Sequence, residues 1–317
     1  MSGFAYIVRD GKVEQPILKE ALGKDAGLSW IHLNTNDERA QVWLRGEAEL
    51  AQPVIDALTA METRPRCDLF GPAALVNLRG MSSEALGGSD PLASIRIYAH
   101  GGCVFSVSRK QLNAIQPVRR QVEEGKILDP GDLIAAIAQA ITEELDPMVA
   151  ELGDTLDDCE EHISQHRAFD LRRLVNETRV KAIGLRRFLY PQRAALEKLA
   201  ALPVAWLADD DRLHLAAAAD RAARMAEELE SIRERAALTH ETLTDLRAEL
   251  IDQRSLVIAV AAMVFLPLTF ITGLYGMNVE GLWFAREPWA FDAIAILCLA
   301  VAFVITAYFV GRHWFER

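Results

Sequence analysis

From residue 204 to residue 266 the chain contains neither glycine nor proline, and alanine, leucine, glutamate and arginine dominate it. These are strong helix formers, and nothing in the run punctuates a helix. Continued as one helix, it would be roughly 95 Å long at 1.5 Å per residue, more than a small domain can enclose. The run therefore predicts a stalk. Leu229, Ile232, Ala236, Thr239, Leu243, Leu246 and Leu250 recur along it at three- and four-residue spacing. Such a stripe packs against other helices, either those upstream or those of a second copy.

The stalk runs straight into residues 255–278, SLVIAVAAMVFLPLTFITGLYGMN, which carry no charged side chain. About 20 such residues cross a bilayer. A second charge-free run, 293–311, follows a short loop, and a soluble core helix seldom goes so long without a charge on its wet face. The expected organisation is a mixed α/β domain (1–130), an acidic helical hairpin (131–200) and the stalk (201–254). Two transmembrane helices (255–277 and 292–311), their connecting loop (278–291) and a short tail (312–317) complete it. The fold class is α+β.

Orientation follows from the basic residues near the spans. Arg247 and Arg254 precede the first span, and Arg312 and Arg317 follow the second. The loop between them holds Arg286 against Glu280 and Glu287. Both termini are expected in the cytoplasm and the loop outside, in a multi-pass protein of the inner (plasma) membrane. Tyr275, Trp283, Trp289, Tyr308 and Trp314 fall where an aromatic belt would sit. The N-terminal stretch has no basic segment followed by an apolar core, so no signal peptide is expected.

Net charge is −11, which disfavours nucleic acid and favours cationic partners. Cys67, Cys103, Cys159 and Cys298 lie far apart with no CxxC pair, which excludes a disulfide scaffold and a zinc ribbon. In the first 130 residues, 29–34 and 74–78 read as strands. Residues 94–98 and 103–107 read as a hairpin across a glycine turn. Residues 37–62 read as helical, broken near Pro53 and ended before Pro65, and 111–124 as a further helix. No phosphate loop, dinucleotide fingerprint or nucleophile elbow is present, so nothing supports an enzyme.

Between residues 143 and 161 stand nine carboxylates and no lysine or arginine. This is either a solvated helix face or a surface that concentrates cations near a pore entrance. Residues 181–198 restore positive charge and are expected to pair with it. Within the acidic run, Cys159, His162 and His166 fall at i, i+3 and i+7 on one helical face. Sulfur and imidazole suit zinc, so the three form a candidate cytosolic metal site beside the bland reading of exposed histidines.

From Gly273, five residues before Asn278, counting back by threes and fours gives Thr269, Leu266, Ala262, Ile258 or Ala259, Ser255 and Asp252. This face is small, weakly polar and uncharged until its cytoplasmic end. Pro267 removes one backbone hydrogen bond, to Met263. The alternative reading is a proline-bent anchor with Gly276 as helix cap and Asn278 in a turn.

Residues 267–278, Pro-Leu-Thr-Phe-Ile-Thr-Gly-Leu-Tyr-Gly-Met-Asn, lie between two spans after a long stalk. In that setting they resemble the CorA superfamily of divalent-cation transporters. The resemblance implies a funnel-shaped homopentamer whose first span lines the pore, with Gly276, Met277 and Asn278 at its outer mouth. Upstream, Glu62-Thr-Arg-Pro-Arg66, Asn77-Leu-Arg-Gly80 and Leu92-Ala-Ser-Ile-Arg96 resemble the zinc-transporting ZntB branch. The loop after Asn278 lacks the Met-Pro-Glu element of the magnesium branch, whereas Met277 is kept where ZntB members often vary.

A ring of Asn278 amide oxygens with Gly276 carbonyls would hydrogen-bond the water shell of a divalent ion without gripping it. That suits an ion that sheds water reluctantly and must be released. Glu280 and Glu287 could raise the local cation concentration. No cofactor is expected. The motif does not by itself select zinc; the ZntB resemblance implies Zn2+ as the cargo, with Mg2+, Co2+ or Ni2+ as alternatives. A non-conducting, membrane-anchored metal sensor is the reading of a different class.

Overall fold

The structure, a computed structural model, describes residues 2–22, 26–61, 64–82, 92–164, 167–277, 281, 283–284 and 287–315. The chain divides into two units. The first comprises Met1–His162 with Arg173–His240, and the second Ile163–Arg172 with Glu241–Arg317.

The first unit is built on a seven-stranded sheet. Its strands are β1 (Gly3–Arg9), β2 (Lys12–Glu14), β3 (Leu28–Asn34), β4 (Arg66–Phe70), β5 (Ala73–Met81), β6 (Leu92–His100) and β7 (Cys103–Ser108). Their order is β2-β1-β3-β7-β6-β5-β4. Only the central β3–β7 pair is parallel, with Trp30 opposite Val104 and His32 opposite Ser106. The expected hairpin is β6–β7, paired Tyr98 to Phe105 and His100 to Cys103. Gly101 at φ +56° supplies the left-handed conformation that its two-residue loop requires.

Side chains alternate across the sheet. One face presents Ala5, Ile7, Ile31, Leu33, Phe105 and Val107 to a core completed by α1 (Glu38–Gly46) and α2 (Gln52–Thr59). Pro53 does not break a single long helix. The break is at 47–51, and Pro53 sits in the first turn of α2, where its missing N–H has no helical partner to lose. The other face carries Phe4, Tyr6, Trp30 and His32, whose rings contact one another at 4.9–6.4 Å. Helix α3 (Ile115–Glu123), shorter than the stretch expected from 111, covers these rings. Its Arg119 lies 4.3 Å from the Phe4 ring centroid and donates to Tyr6 Oη at 3.0 Å.

Three long helices follow: α4 (Pro130–Glu161), α5 (Ala168–Ala200) and α6 (Asp209–Tyr275). Helix α6 starts five residues later than the glycine-free run, because Asp211 Oδ2 accepts from Ala208 N at 2.9 Å and caps it there. It then continues through Pro267 and Gly273. The stalk stripe docks on helices of the same chain, since Leu229, Ile232, Ala236 and Thr239 are buried within the first unit.

The acidic run lies on α4, but its partners are not those expected. Arg235 of α6 holds Asp157 and Glu160, the latter at 2.5 Å, and Arg221 holds Glu143 at 3.1 Å. From the basic stretch of α5, Arg186 turns to Glu230 of α6 and Lys198 to Asp68 of β4. The acidic face is thus partly neutralised by α6.

In the second unit, α6 from Glu241 onward and α7 (Ala290–Phe315) are the two helices long and apolar enough to cross a membrane. None of the apolar window of either is buried inside the chain.

Candidate functional site

The apolar half of α6 has two distinct sides. Val260, Val264, Pro267, Leu268, Ile271 and Tyr275 are half-buried. Ser255, Ile258, Ala262, Leu266, Thr269 and Gly273 are exposed. At 3.6 residues per turn the mean directions of these two sets lie roughly 170° apart. The face counted back from Gly273 is therefore the side of the helix opposite its covered stripe. Asp252 is exposed one turn below Ser255.

Helix α7 shows one covered stripe as well: Ile294, Ala295, Cys298, Val301, Ala302, Ile305 and Phe309 are half-buried at helical spacing. Polar side chains on the exposed side of α6 bond back to the helix itself. Thr269 Oγ1 donates to Phe265 O at 2.8 Å and Thr272 Oγ1 to Leu268 O at 2.9 Å. Such bonds satisfy hydroxyls in an apolar setting.

The helix ends at Tyr275. Gly276 N donates to Thr272 O at 2.9 Å and Met277 N to Leu274 O at 3.4 Å, so the last turn tightens. Met277 is half-exposed. Asn278 and Glu280 lie outside the described residues. Glu287 is exposed; its N–H donates to Phe284 O at 3.0 Å and its carbonyl accepts from Ala290 N at 3.1 Å.

Cys159, His162 and His166 do not lie along one uninterrupted helix. Helix α4 stops at Glu161, and His162 is its C-cap residue, with Nδ1 2.9 Å from Asp158 O. Cys159 is fully buried on the core side of α4. The spacing of seven residues therefore does not fall on one continuous helical face, and His166 is outside the described residues.

Among the described residues, the carboxyl groups that do converge are Asp129, Asp132 and Asp211, within 4.8 Å of one another. Each already caps a helix start: Asp129 Oδ1 accepts from Asp132 N, Asp132 Oδ2 from Leu128 N and Asp211 Oδ2 from Ala208 N, all at 2.9 Å. Burial, then the neighbouring acids, pushes the Asp211 carboxyl up to about 6. Sequence spacing could not show this cluster, because Asp211 is 79 positions from Asp132.

The three short upstream motifs meet on adjacent strands. Arg66 of β4 is opposite Asn77 of β5, and Asn77 is opposite Arg96 of β6. Asn77 Nδ2 donates to Arg64 O at 2.7 Å, and Arg79 Nη2 to Leu92 O at 2.9 Å. The Arg79 guanidinium also lies 3.8 Å from the Phe188 ring centroid of α5. These contacts fasten strands and helices; Glu62 lies outside the described residues.

Residues 25–313 match the family described as CorA-like Mg2+ transporter protein. The chain belongs to the CorA family. Its members are divalent-cation transporters and not enzymes, and this chain has the family's two candidate membrane-spanning helices at its C-terminal end. It is 27% identical over 286 residues to the zinc transport protein ZntB of Pectobacterium atrosepticum, covering 90% of this chain and 87% of that one. It is 31% identical over 276 residues to the divalent cation transporter CmaX of Pseudomonas aeruginosa, covering 86% and 83%. The solved structure of full-length CmaX superposes with a TM-score of 0.77 at 29% identity, covering 98% and 97%. The fold of an N-terminal α/β domain, a long helix and two C-terminal apolar helices is thus the CorA fold.

Proposed function

We propose that this CorA-family transporter works as a homopentamer that carries Zn2+ across the inner membrane, with both termini cytoplasmic. In this reading α6 crosses at 255–277 and lines the pore, residues 278–291 form the outer loop, and α7 returns at 292–311. Ser255, Ile258, Ala262, Leu266, Thr269 and Gly273 face the aqueous path, with Asp252 at its cytoplasmic end. Gly276, Met277 and Asn278 form the outer mouth, and Glu280 and Glu287 draw cations to it.

One observation carries the reading. The small, weakly polar side of α6 is exposed along its whole length and points away from the stripe the chain covers itself. Copies arranged around an axis could turn that side inward and still give the remaining apolar surface to lipid. Backbone and amide oxygens at such a mouth favour an ion that passes with its water shell. Zinc as cargo is supported by the ZntB relative and the upstream motifs. A Mg2+ or Co2+ channel is the second reading, favoured by the neutral oxygen ligands, since zinc prefers nitrogen and sulfur.

Competitive metal flux into proteoliposomes separates these. Zn2+ entering faster than Mg2+, Co2+ or Ni2+ at equal concentration is the expected result. Faster Mg2+ entry would move the chain to the magnesium reading. No metal entry of any kind would leave a non-conducting sensor.

A further inference from the structure

Away from the helices of the ion path, the sheet has a feature that conduction does not use. Strands β3 and β7 are its parallel neighbours, and the chain leaves their carboxyl ends in opposite directions. After Asn34 it enters α1, on the face with Ile31 and Leu33. After Ser108 it enters α3, which lies over Phe4 and Tyr6 on the other face. In an open sheet this divergence opens a crevice at the strand ends, where ligands bind in other α/β proteins.

The crevice here is a cavity of 360 Å3, at the small end of the range for ligand sites. Its charge pattern is unlike the rest of the chain. The sequence holds 45 acidic residues, yet none lines this cavity, and Arg119 is the one cation that does. Asn34, Ser108, Gln111 and Gln116 supply neutral amides and a hydroxyl. His32, at the back, is held neutral at pH 7, its pKa pushed down to about 4 by burial and then by the Arg119 charge.

Arg119 is positioned by the Tyr6 hydroxyl, which also bridges it to Glu123. Its Nε and one terminal nitrogen both donate to Tyr6 Oη, at 3.2 and 3.0 Å, and its plane rests on Phe4. The nearby Glu123 is occupied in accepting from the Tyr6 hydroxyl. Among the described residues, these are the hydrogen bonds Arg119 makes, through Nε and Nη2. A fixed guanidinium surrounded by neutral hydrogen-bonding groups suits a planar or tetrahedral oxyanion.

We propose that the crevice at the carboxyl ends of β3 and β7 binds a small oxyanion, a carboxylate or a phosphate, through Arg119, with Gln116, Gln111, Asn34 and Ser108 as neutral partners. The site is independent of the ion path and of which metal that path carries.

Calorimetric titration of the metal-stripped, full-length protein with citrate and, separately, with inorganic phosphate tests it. Wild type should bind at least one of the two; citrate alone marks a carboxylate ligand, phosphate alone a phosphate ligand. Arg119→Gln should weaken binding about tenfold, the loss of one charge-assisted contact. Gln116→Leu, at an exposed position, should weaken it about threefold, a neutral hydrogen bond, with the melting temperature unchanged. Binding of neither anion by wild type, or wild-type affinity in both variants, would overturn the proposal.

Discussion

An Asn278→Ala variant is expected to lose divalent-metal uptake by about 10- to 100-fold, the usual loss when a group that orients a metal's surroundings is removed. The reason is chemical. In the proposed mouth, carboxamide oxygens take over some of the hydrogen bonds that bulk water makes to the ion's hydration shell. Methyl groups cannot, so the ion would enter a constriction with its shell unsatisfied. Asn278 follows the last helical turn, where Gly276 and Met277 bond back to Thr272 and Leu274. The last turn of α6 is closed by the backbone bonds of Gly276 and Met277, so assembly and melting temperature should be unchanged. Uptake measured in proteoliposomes, normalised to inserted protein, reads the effect. Wild-type uptake would remove Asn278 from the ion path and return the Gly-Met-Asn segment to a simple helix end.

The largest stability effect is expected at Gly131. It occupies the first turn of α4 behind the Asp129 cap and Pro130. A Cβ built there would stand 2.0 Å from Asp211 Oδ2 and 2.6 Å from its Cγ. The position has no positive φ, so the constraint is the neighbour and not the backbone. Asp211 cannot simply swing away, because Oδ2 holds Ala208 N at the start of α6. Gly131→Ala would therefore overpack a buried contact, at about 1–3 kcal/mol, and loosen a helix cap, at about 0.5–2 kcal/mol. Against this, alanine gains about 0.5–1 kcal/mol over glycine within a helix. The net is a loss of about 2–3 kcal/mol, or on the order of 5–10 °C in melting temperature for a unit of this size. Thermal unfolding of the full chain at a fixed scan rate measures it. An unchanged melting temperature would mean that Asp211 has another place to go.

The parts of the fold visible in the sequence are those set by local chemistry. The stalk was legible because nothing between 204 and 266 stops a helix, and the spans because charge is absent. The β6–β7 hairpin was legible because Gly101-Gly102 interrupts two β-rich runs. The β1–β2 hairpin carries an equally good signal in Asp10-Gly11. Asp10 and Gly11 take φ of 49° and 73° in a two-residue loop, the type favoured between strands. Edge strand β4 was missed because only Cys67 is buried along it, so it shows little alternation.

What local pattern could not supply was pairing at a distance. The arginines that answer the acidic helix lie about one helix further along than proximity suggested, with Arg235 78 residues from Asp157. The stop of α4 at Glu161 has no glycine or proline to announce it, so the cysteine–histidine spacing overruns the helix. The crevice beside Arg119 depends on parallel β3–β7 pairing, 74 residues apart at Trp30 and Val104. For the proposed ion path, the small face of α6 is legible in the sequence. That the chain covers the opposite side of the helix required the structure.

The central claim is that this exposed side of α6 meets water inside a pore while the rest of the span meets protein or lipid. Single cysteines at Ile258, Ala262 and Thr269, and at Val260, Val264 and Ile271, in a chain whose four native cysteines are replaced, test it directly with a membrane-impermeant, charged thiol reagent. Labelling of the first three positions, slowed by saturating divalent metal, with the second three protected, is the predicted result. Equal protection of all six, or labelling that follows the covered stripe, would contradict it.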